Sequence, residues 1–298
     1  MADAFLEYDV VDVFAQQPFA GNQLAVVHGA AGLSDDALLS IAREFNFSET
    51  TFATPVDEGR YGCRIFTPGG EIPFAGHPTL GTAWVLRDRG HLGASDAVQE
   101  CGVGEIGVHL DGERVELSAA PRDLAGPLGD AFVAQLVDAL GLRADDVDGE
   151  TWLAGTGLTF VHLPVHDEAV TRASVPHRAV RDIADLPETG DPLDGINLYA
   201  VRGRSDAGLD VHSRVFVTGL SVPEDPATGS AAAGLGMALH ARSLLTDGGG
   251  YRISQGTEIG RPSLLEGRID ATDDVLTRLH VAGAVQPIAR GQIRVPGS

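Results

Sequence analysis

Phe74-Ala75-Gly76-His77-Pro78-Thr79-Leu80-Gly81-Thr82-Ala83 aligns with Ala227-Thr228-Gly229-Ser230-Ala231-Ala232-Ala233-Gly234-Leu235-Gly236, 153 residues later, so that Gly76 falls on Gly229 and Gly81 on Gly234. At the same offset Gly104-Glu105-Ile106-Gly107 falls on Thr257-Glu258-Ile259-Gly260, and Arg64-Ile65-Phe66 precedes the first stretch as Arg214-Val215-Phe216 precedes the second. The matches predict a duplicated unit of about half the chain, longer than the period of solenoid repeats. Each copy reads as a strand, a turn and then a helix opening at a glycine. Pro78 suits a first helical turn, and the small residues of Gly229–Arg242 suit a helix enclosed by strands.

The rest of the pattern fits two domains. Strands are predicted at Tyr8–Phe14 and Gln23–Val27, joined by the turn Phe19-Ala20-Gly21-Asn22, then a helix capped by Ser34 with Leu38, Leu39, Ile41, Ala42 and Phe45 on its apolar face. Further strands are predicted at Thr50–Ala53, Tyr61–Phe66, Ile106–Leu110 and Arg114–Leu117. Ala119–Pro127 breaks the periodicity and reads as a linker. Beyond it come helices at Ala131–Leu140 and Arg178–Leu186 and strands at Gly157–Leu163, Ile196–Val201 and Arg214–Val217. The expected domains are 1–118 with about 283–298, and 126–282.

Composition excludes several function classes. The chain has 298 residues, 43% hydrophobic, with a formal net charge of -21. No apolar run approaches the roughly 20 residues of a membrane span. All 21 basic residues are Arg, so no lysine is present to form a Schiff base or a P-loop contact. The excess of carboxylates repels nucleic acid. The acidic N-terminus does not read as a secretory signal, and a cytoplasmic protein is expected. His162-x-x-x-His166 has a zinc-ligand spacing, but Pro164 interrupts it and Leu163 stands where a metalloprotease carries Glu, so no metal is expected. Cys63 and Cys101 read as buried hydrophobes.

Gly76-His77 and Gly229-Ser230 each present a helix N-terminus, where N–H groups and the positive end of the dipole suit a carboxylate or an enolate-like oxygen. Taken singly, each is an ordinary helix start; the pair at equivalent positions points to a site for a small anionic molecule. Glu49, at the passage from a helix into a strand, and Asp225, four residues before Gly229, are candidate acid/base groups if burial raises their pKa.

Six segments together resemble the PhzF (phenazine biosynthesis protein) family: Phe19–Asn22, Phe47-Ser48-Glu49-Thr50, Arg64–Pro68, Phe74–Thr79, Glu224–Ala231, and Gln255-Gly256 through Gly260-Arg261. The resemblance implies an α/β (α+β) fold of two similar diaminopimelate-epimerase-like domains, each a mixed sheet wrapped around a central helix, with the active site in the cleft between them. It also implies a homodimer and a cofactor-independent isomerase. In the phenazine-pathway member a Glu matching Glu49 moves a proton within trans-2,3-dihydro-3-hydroxyanthranilate, and residues matching His77, Asp225 and Ser230 help to bind and protonate. The catalytic set implied is Glu49, Asp225 and His77; Asn22, Ser48, Gly76, Gly229, Ser230 and Ala231 are the expected substrate contacts.

Epimerases of the same superfamily carry a Cys before each Gly, where this chain has Ala75 and Thr228. That departure favours one carboxylate over a two-thiol racemase. The rival readings are an epimerase or dehydratase of an amino or hydroxy acid, and a non-catalytic small-molecule-binding homologue.

Overall fold

The computed structural model describes residues 4–179, 182–183, 193–218 and 222–297. The chain divides into two compact units, 1–118 with 282–298, and 119–281.

The first unit contains β1 (Phe5–Val13), β2 (Asn22–His28), α1 (Asp35–Phe45), β3 (Glu49–Asp57), β4 (Arg60–Thr67), β5 (Gly70–Ile72), α2 (Gly76–Asp88), β6 (Asp96–Cys101), β7 (Gly104–Asp111) and β8 (Arg114–Ala119). β1 and β2 are antiparallel, β2 and β3 parallel, β3 and β4 antiparallel, β4 and β6 parallel, and β6, β7 and β8 antiparallel in succession. The second unit contains β9 (Asp123–Ala125), α3 (Asp130–Ala139), β10 (Trp152–Gly155), β11 (Thr159–Pro164), α4 (Asp167–Arg172), β12 (Leu193–Ser205), β13 (Gly208–Phe216), β14 (Glu224–Asp225), α5 (Gly229–Ala241), β15 (Gly250–Gln255) and β16 (Ser263–Thr272). The last strand, β17 (Val275–Arg294), pairs through its second part with β1 and also with β8, which closes the strands of the first unit into a ring.

The second unit repeats the order. β10 and β11 are antiparallel, β11 and β12 parallel, β12 and β13 antiparallel, β13 and β15 parallel, and β15 and β16 antiparallel. In both units the helix bearing the glycine motif makes the parallel crossover, α2 between β4 and β6 and α5 between β13 and β15. Neither helix has a polar face. Residues Gly76–Ala83 of α2 and Ala231–Leu239 of α5 are all buried, as a helix enclosed by strands requires. Gly81 and Gly234, equivalent in the repeat, are both points of close approach. A Cβ at Gly81 would lie 2.6 Å from Leu24 Cδ2, and one at Gly234 would lie 2.9 Å from the Ala154 carbonyl oxygen. The outer helix α1 buries only one face, Leu38, Ile41 and Ala42, packed on Phe52 and Phe66.

Two sequence expectations change, and a third is not tested. Gly104–Gly107 opens β7, whereas Thr257–Ile259 is a 3-10 turn between two left-handed glycines, so that match is not a structural equivalence. The segment read as a linker carries β9, which pairs with β10. The helix expected at Arg178–Leu186 falls largely outside the described residues.

Candidate active site

Glu49 is the first residue of β3. Helix α1 ends at Asn46 in a left-handed conformation, and the chain then turns into a strand whose first residue stands beside Leu24 of β2. The Glu49 side chain retains 17% exposure, but its Oε2 is shut off from solvent and has no hydrogen-bond partner among the described residues. Burial pushes the carboxyl up to about 7, against a smaller opposing effect of the Ser48 hydroxyl.

His77, the second residue of α2, is 5% exposed and places Nε2 3.5 Å from Glu49 Oε2. Its Nδ1 lies 3.3 Å from Asn22 Nδ2, while Ser48 Oγ donates to Asn22 Oδ1 at 3.2 Å. With its nitrogen placed there, the Asn22 amide donates to Nδ1, and the neutral imidazole of that arrangement carries its proton on Nε2, towards Glu49. Asn22 is held by the turn before β2. Gly21 there has φ +65°, and a Cβ on it would lie 2.3 Å from the Val13 carbonyl oxygen. Glu49, His77, Asn22, Ser48 and Gly76 therefore belong to one cluster. α2 begins at Ala75 with no side-chain cap and no acid in its first turn, which leaves its first N–H groups without an intrahelical partner. Sequence reasoning missed Gln99, whose Nε2 donates to Thr79 Oγ1 at 2.9 Å while Thr79 Oγ1 donates to Ala75 O at 2.9 Å.

The second unit assembles its own cluster. α5 starts at Thr228, again without a side-chain cap or an acid in the first turn. Thr228 Oγ1 donates instead to Asp225 Oδ2 at 2.6 Å. Gln255 at the end of β15 donates to Asp225 O at 2.8 Å and to Thr228 Oγ1 at 3.1 Å. Gly229 and Ser230 are the first two helical residues. Ala231 lies in a buried apolar cluster with Phe160, Val215 and Val217. Gln255 was visible in the sequence only as a member of a motif, and its partners depend on strand order.

The two units differ at the position of Glu49. Thr50 pairs with Phe66 on β4, and Ile196 pairs with Phe216 on β13; the residues before them are Glu49 and Gly195. A Cβ at Gly195 would lie 2.8 Å from the Phe216 carbonyl oxygen, so the second unit has neither a carboxylate there nor room for one. The thiols offer no substitute. Cys63 lies on β4, where burial pushes it up to about 12, and Cys101 ends β6. Among the described residues no cluster of three or more His, Cys, Asp or Glu could hold a metal ion, and no helix is long and apolar enough to cross a membrane.

The family model for phenazine biosynthesis-like proteins (PhzC-PhzF) matches residues 11–291. The chain belongs to that family. A relative from Pseudomonas chlororaphis, trans-2,3-dihydro-3-hydroxyanthranilate isomerase, is 36% identical over 289 residues, covering 96% of this chain and 98% of its own. The crystal structure of a PhzF-family phenazine biosynthesis protein from Bacillus anthracis superposes with a TM-score of 0.85 at 23% identity, over 97% of this chain and 99% of that one. A hydroxyproline epimerase from Agrobacterium vitis shares the fold at a TM-score of 0.63 and 11% identity, covering 98% of this chain and 93% of its own. The family thus sits on an epimerase-like fold, with Ala75 and Thr228 at the two helix caps.

Proposed function

We propose that the chain is an isomerase that moves a proton within a small carboxylate-bearing substrate without a cofactor, with Glu49 as the proton carrier. The substrate assigned is trans-2,3-dihydro-3-hydroxyanthranilate, the compound in the name of the Pseudomonas relative. One observation carries the reading: Glu49 Oε2 is dry, lacks a hydrogen-bond partner and faces His77 Nε2, with its carboxyl raised to about 7. A carboxyl poised there can take a proton near neutral pH and give it back.

Ionised Glu49 removes a proton from one substrate carbon, and the electron pair spreads into the conjugated system as an enolate-like anion. The protonated Glu49 then returns the proton to another carbon, so substrate and product have the same composition and no electrons leave. The uncapped N–H groups at the starts of α2 and α5 suit the anionic oxygens, and His77, Asp225 and Ser230 are assigned to binding and polarisation. Asn22, Ser48, Gly76, Gly229 and the N–H of Ala231 complete the assigned contacts. The absence of a carboxylate at Gly195 supports one base rather than two opposed ones. A cytoplasmic homodimer belongs to the same reading; sedimentation at the mass of one chain overturns the dimer.

Incubation with the substrate in D₂O tests the assignment. Wild-type protein is expected to form an isomer with deuterium at the newly protonated carbon in at least part of the product, and Glu49→Gln to form none while remaining folded. Wild-type turnover by Glu49→Gln refutes it.

A further inference from the structure

The ring of hydrogen bonds around Thr228 has a feature that helix stability does not explain. Threonine is a favourable N-cap, yet its hydroxyl makes no bond to the first turn of α5 and donates to Asp225 Oδ2 at 2.6 Å. A hydroxyl has one proton, and something must direct it. Gln255, 2% exposed, does so through both ends of its amide. Its Nε2 donates to Asp225 O at 2.8 Å and to Thr228 Oγ1 at 3.1 Å, and its Oε1 accepts from Thr228 N at 3.4 Å. Turning the amide over would set oxygen against oxygen and nitrogen against N–H, so this orientation is fixed. With its oxygen already accepting from Gln255, the Thr228 hydroxyl must spend its proton on the Asp225 carboxylate.

The backbone holds the ring in place. β15 runs parallel to β13 with Gln255 beside Ser213, and β14 runs antiparallel to β13 with Asp225 beside Val215. Immediately after Gln255 the chain turns through Gly256 at φ +76°, where a Cβ would lie 2.6 Å from the Pro226 carbonyl oxygen. The strand end and the loop bearing Asp225 are therefore packed too closely to shift independently.

We propose that Gln255 and Thr228 are positioning residues that fix the Asp225 carboxylate at the start of α5; the proposal rests on the role assigned to Asp225 above. Gln255 sets the direction of the Thr228 hydroxyl, and that hydroxyl holds one carboxylate oxygen.

The test compares kcat and KM on trans-2,3-dihydro-3-hydroxyanthranilate for Gln255→Met, Thr228→Val, Thr228→Ser and Asp225→Asn, with circular dichroism and melting to show that each is folded. Gln255→Met and Thr228→Val are expected to lower kcat about 10- to 100-fold with KM changed less than about threefold. Thr228→Ser, which keeps the hydroxyl, is expected to stay within about threefold of wild type, and the Gln255→Met/Thr228→Val double variant to lose little more than either single one. Wild-type kcat in folded Gln255→Met and Thr228→Val, with Asp225→Asn impaired, overturns the positioning role and leaves that of Asp225 standing. Wild-type kcat in Asp225→Asn overturns both. A loss in Thr228→Ser equal to that in Thr228→Val shows a packing role only and also overturns the proposal. If Gln255→Met does not fold, the near-isosteric Thr228→Val against Thr228→Ser carries the test.

Discussion

Each unit places an arginine over a phenylalanine ring and pairs it with a glutamate in the short strand before the motif helix. In the first unit Arg64 grips Glu71 with two bonds of 2.8 and 2.6 Å and lies 5.2 Å from the Phe66 ring centroid. In the second unit Arg214 grips Glu224 with bonds of 2.8 and 2.7 Å and lies 4.9 Å from that of Phe216. The geometry is the same and the surroundings are not. Arg64 and Glu71 are each 41% exposed, whereas Arg214 and Glu224 are 7% and 4% exposed, and Arg214 also donates to the Ala173 carbonyl near the end of α4 at 2.6 Å. Duplication kept the scaffold, and burial decides what each copy of an interaction is worth. The acid/base chemistry has diverged in the same way, with Glu49 in one unit and Gly195 at the matching place in the other.

The largest effect expected from that divergence is catalytic. Glu49→Gln should lower turnover of trans-2,3-dihydro-3-hydroxyanthranilate by about 10²- to 10⁴-fold, the usual worth of positioned proton transfer. Steady-state assays of Glu49→Gln beside Asp225→Asn sharpen the comparison, and a Glu49→Gln enzyme of undiminished rate breaks it.

Next comes the buried pair. Glu224→Ala strands the Arg214 guanidinium in the interior and should cost about 3–5 kcal/mol, while Glu71→Ala exposes Arg64 to water and should cost at most about 1 kcal/mol. Urea unfolding of both variants decides this, and equal losses would mean that burial does not separate the two copies.

Glu49 itself should make stability depend on pH. Its folded carboxyl titrates at about 7 against an ordinary 4.5, so the folded state binds the proton more tightly than the unfolded one. The contribution of Glu49 to stability is therefore fullest below about 4.5, falls as pH rises from 4.5 through 7, and is flat above. Glu49→Gln removes that loss and should be more stable than wild type above pH 7 by up to about 3 kcal/mol, relative to their difference at pH 4.5. Parallel unfolding curves at every pH would contradict this.

The smallest effect concerns the helix glycines. Gly234→Ala meets a backbone carbonyl and should destabilise by about 1–3 kcal/mol, more than Gly81→Ala, whose nearest neighbours are the side-chain ends of Leu24 and Val13. Thermal melting of the two variants gives the order.

The helix starts, the repeat and the strand-edge position of Glu49 were legible in the sequence because each depends on residues close together in the chain. Glycine, proline and the apolar period announce them locally. The bonds from Asn22 to His77 and from Ser48 to Asn22 were not, because they join residues 55 and 26 positions apart through the pairing of strands. Composition also misled. Thr257–Gly260 repeats three of the four letters of Gly104–Gly107, but Thr257–Ile259 forms a 3-10 turn bracketed by left-handed Gly256 and Gly260, whereas Gly104–Gly107 opens the strand β7. The dryness of Glu49 Oε2, on which the chemistry depends, is a property of packing and leaves no local mark in the sequence.

A titration of the Glu49 carboxyl by ¹³C NMR on protein labelled at glutamate Cδ, assigned by loss of the signal in Glu49→Gln, tests the proton-carrier role most directly. A midpoint near 7 is the expected result. A midpoint near 4.5 would mean that Glu49 is an ordinary ionised carboxylate at neutral pH, which would contradict a carrier poised to take the proton and give it back.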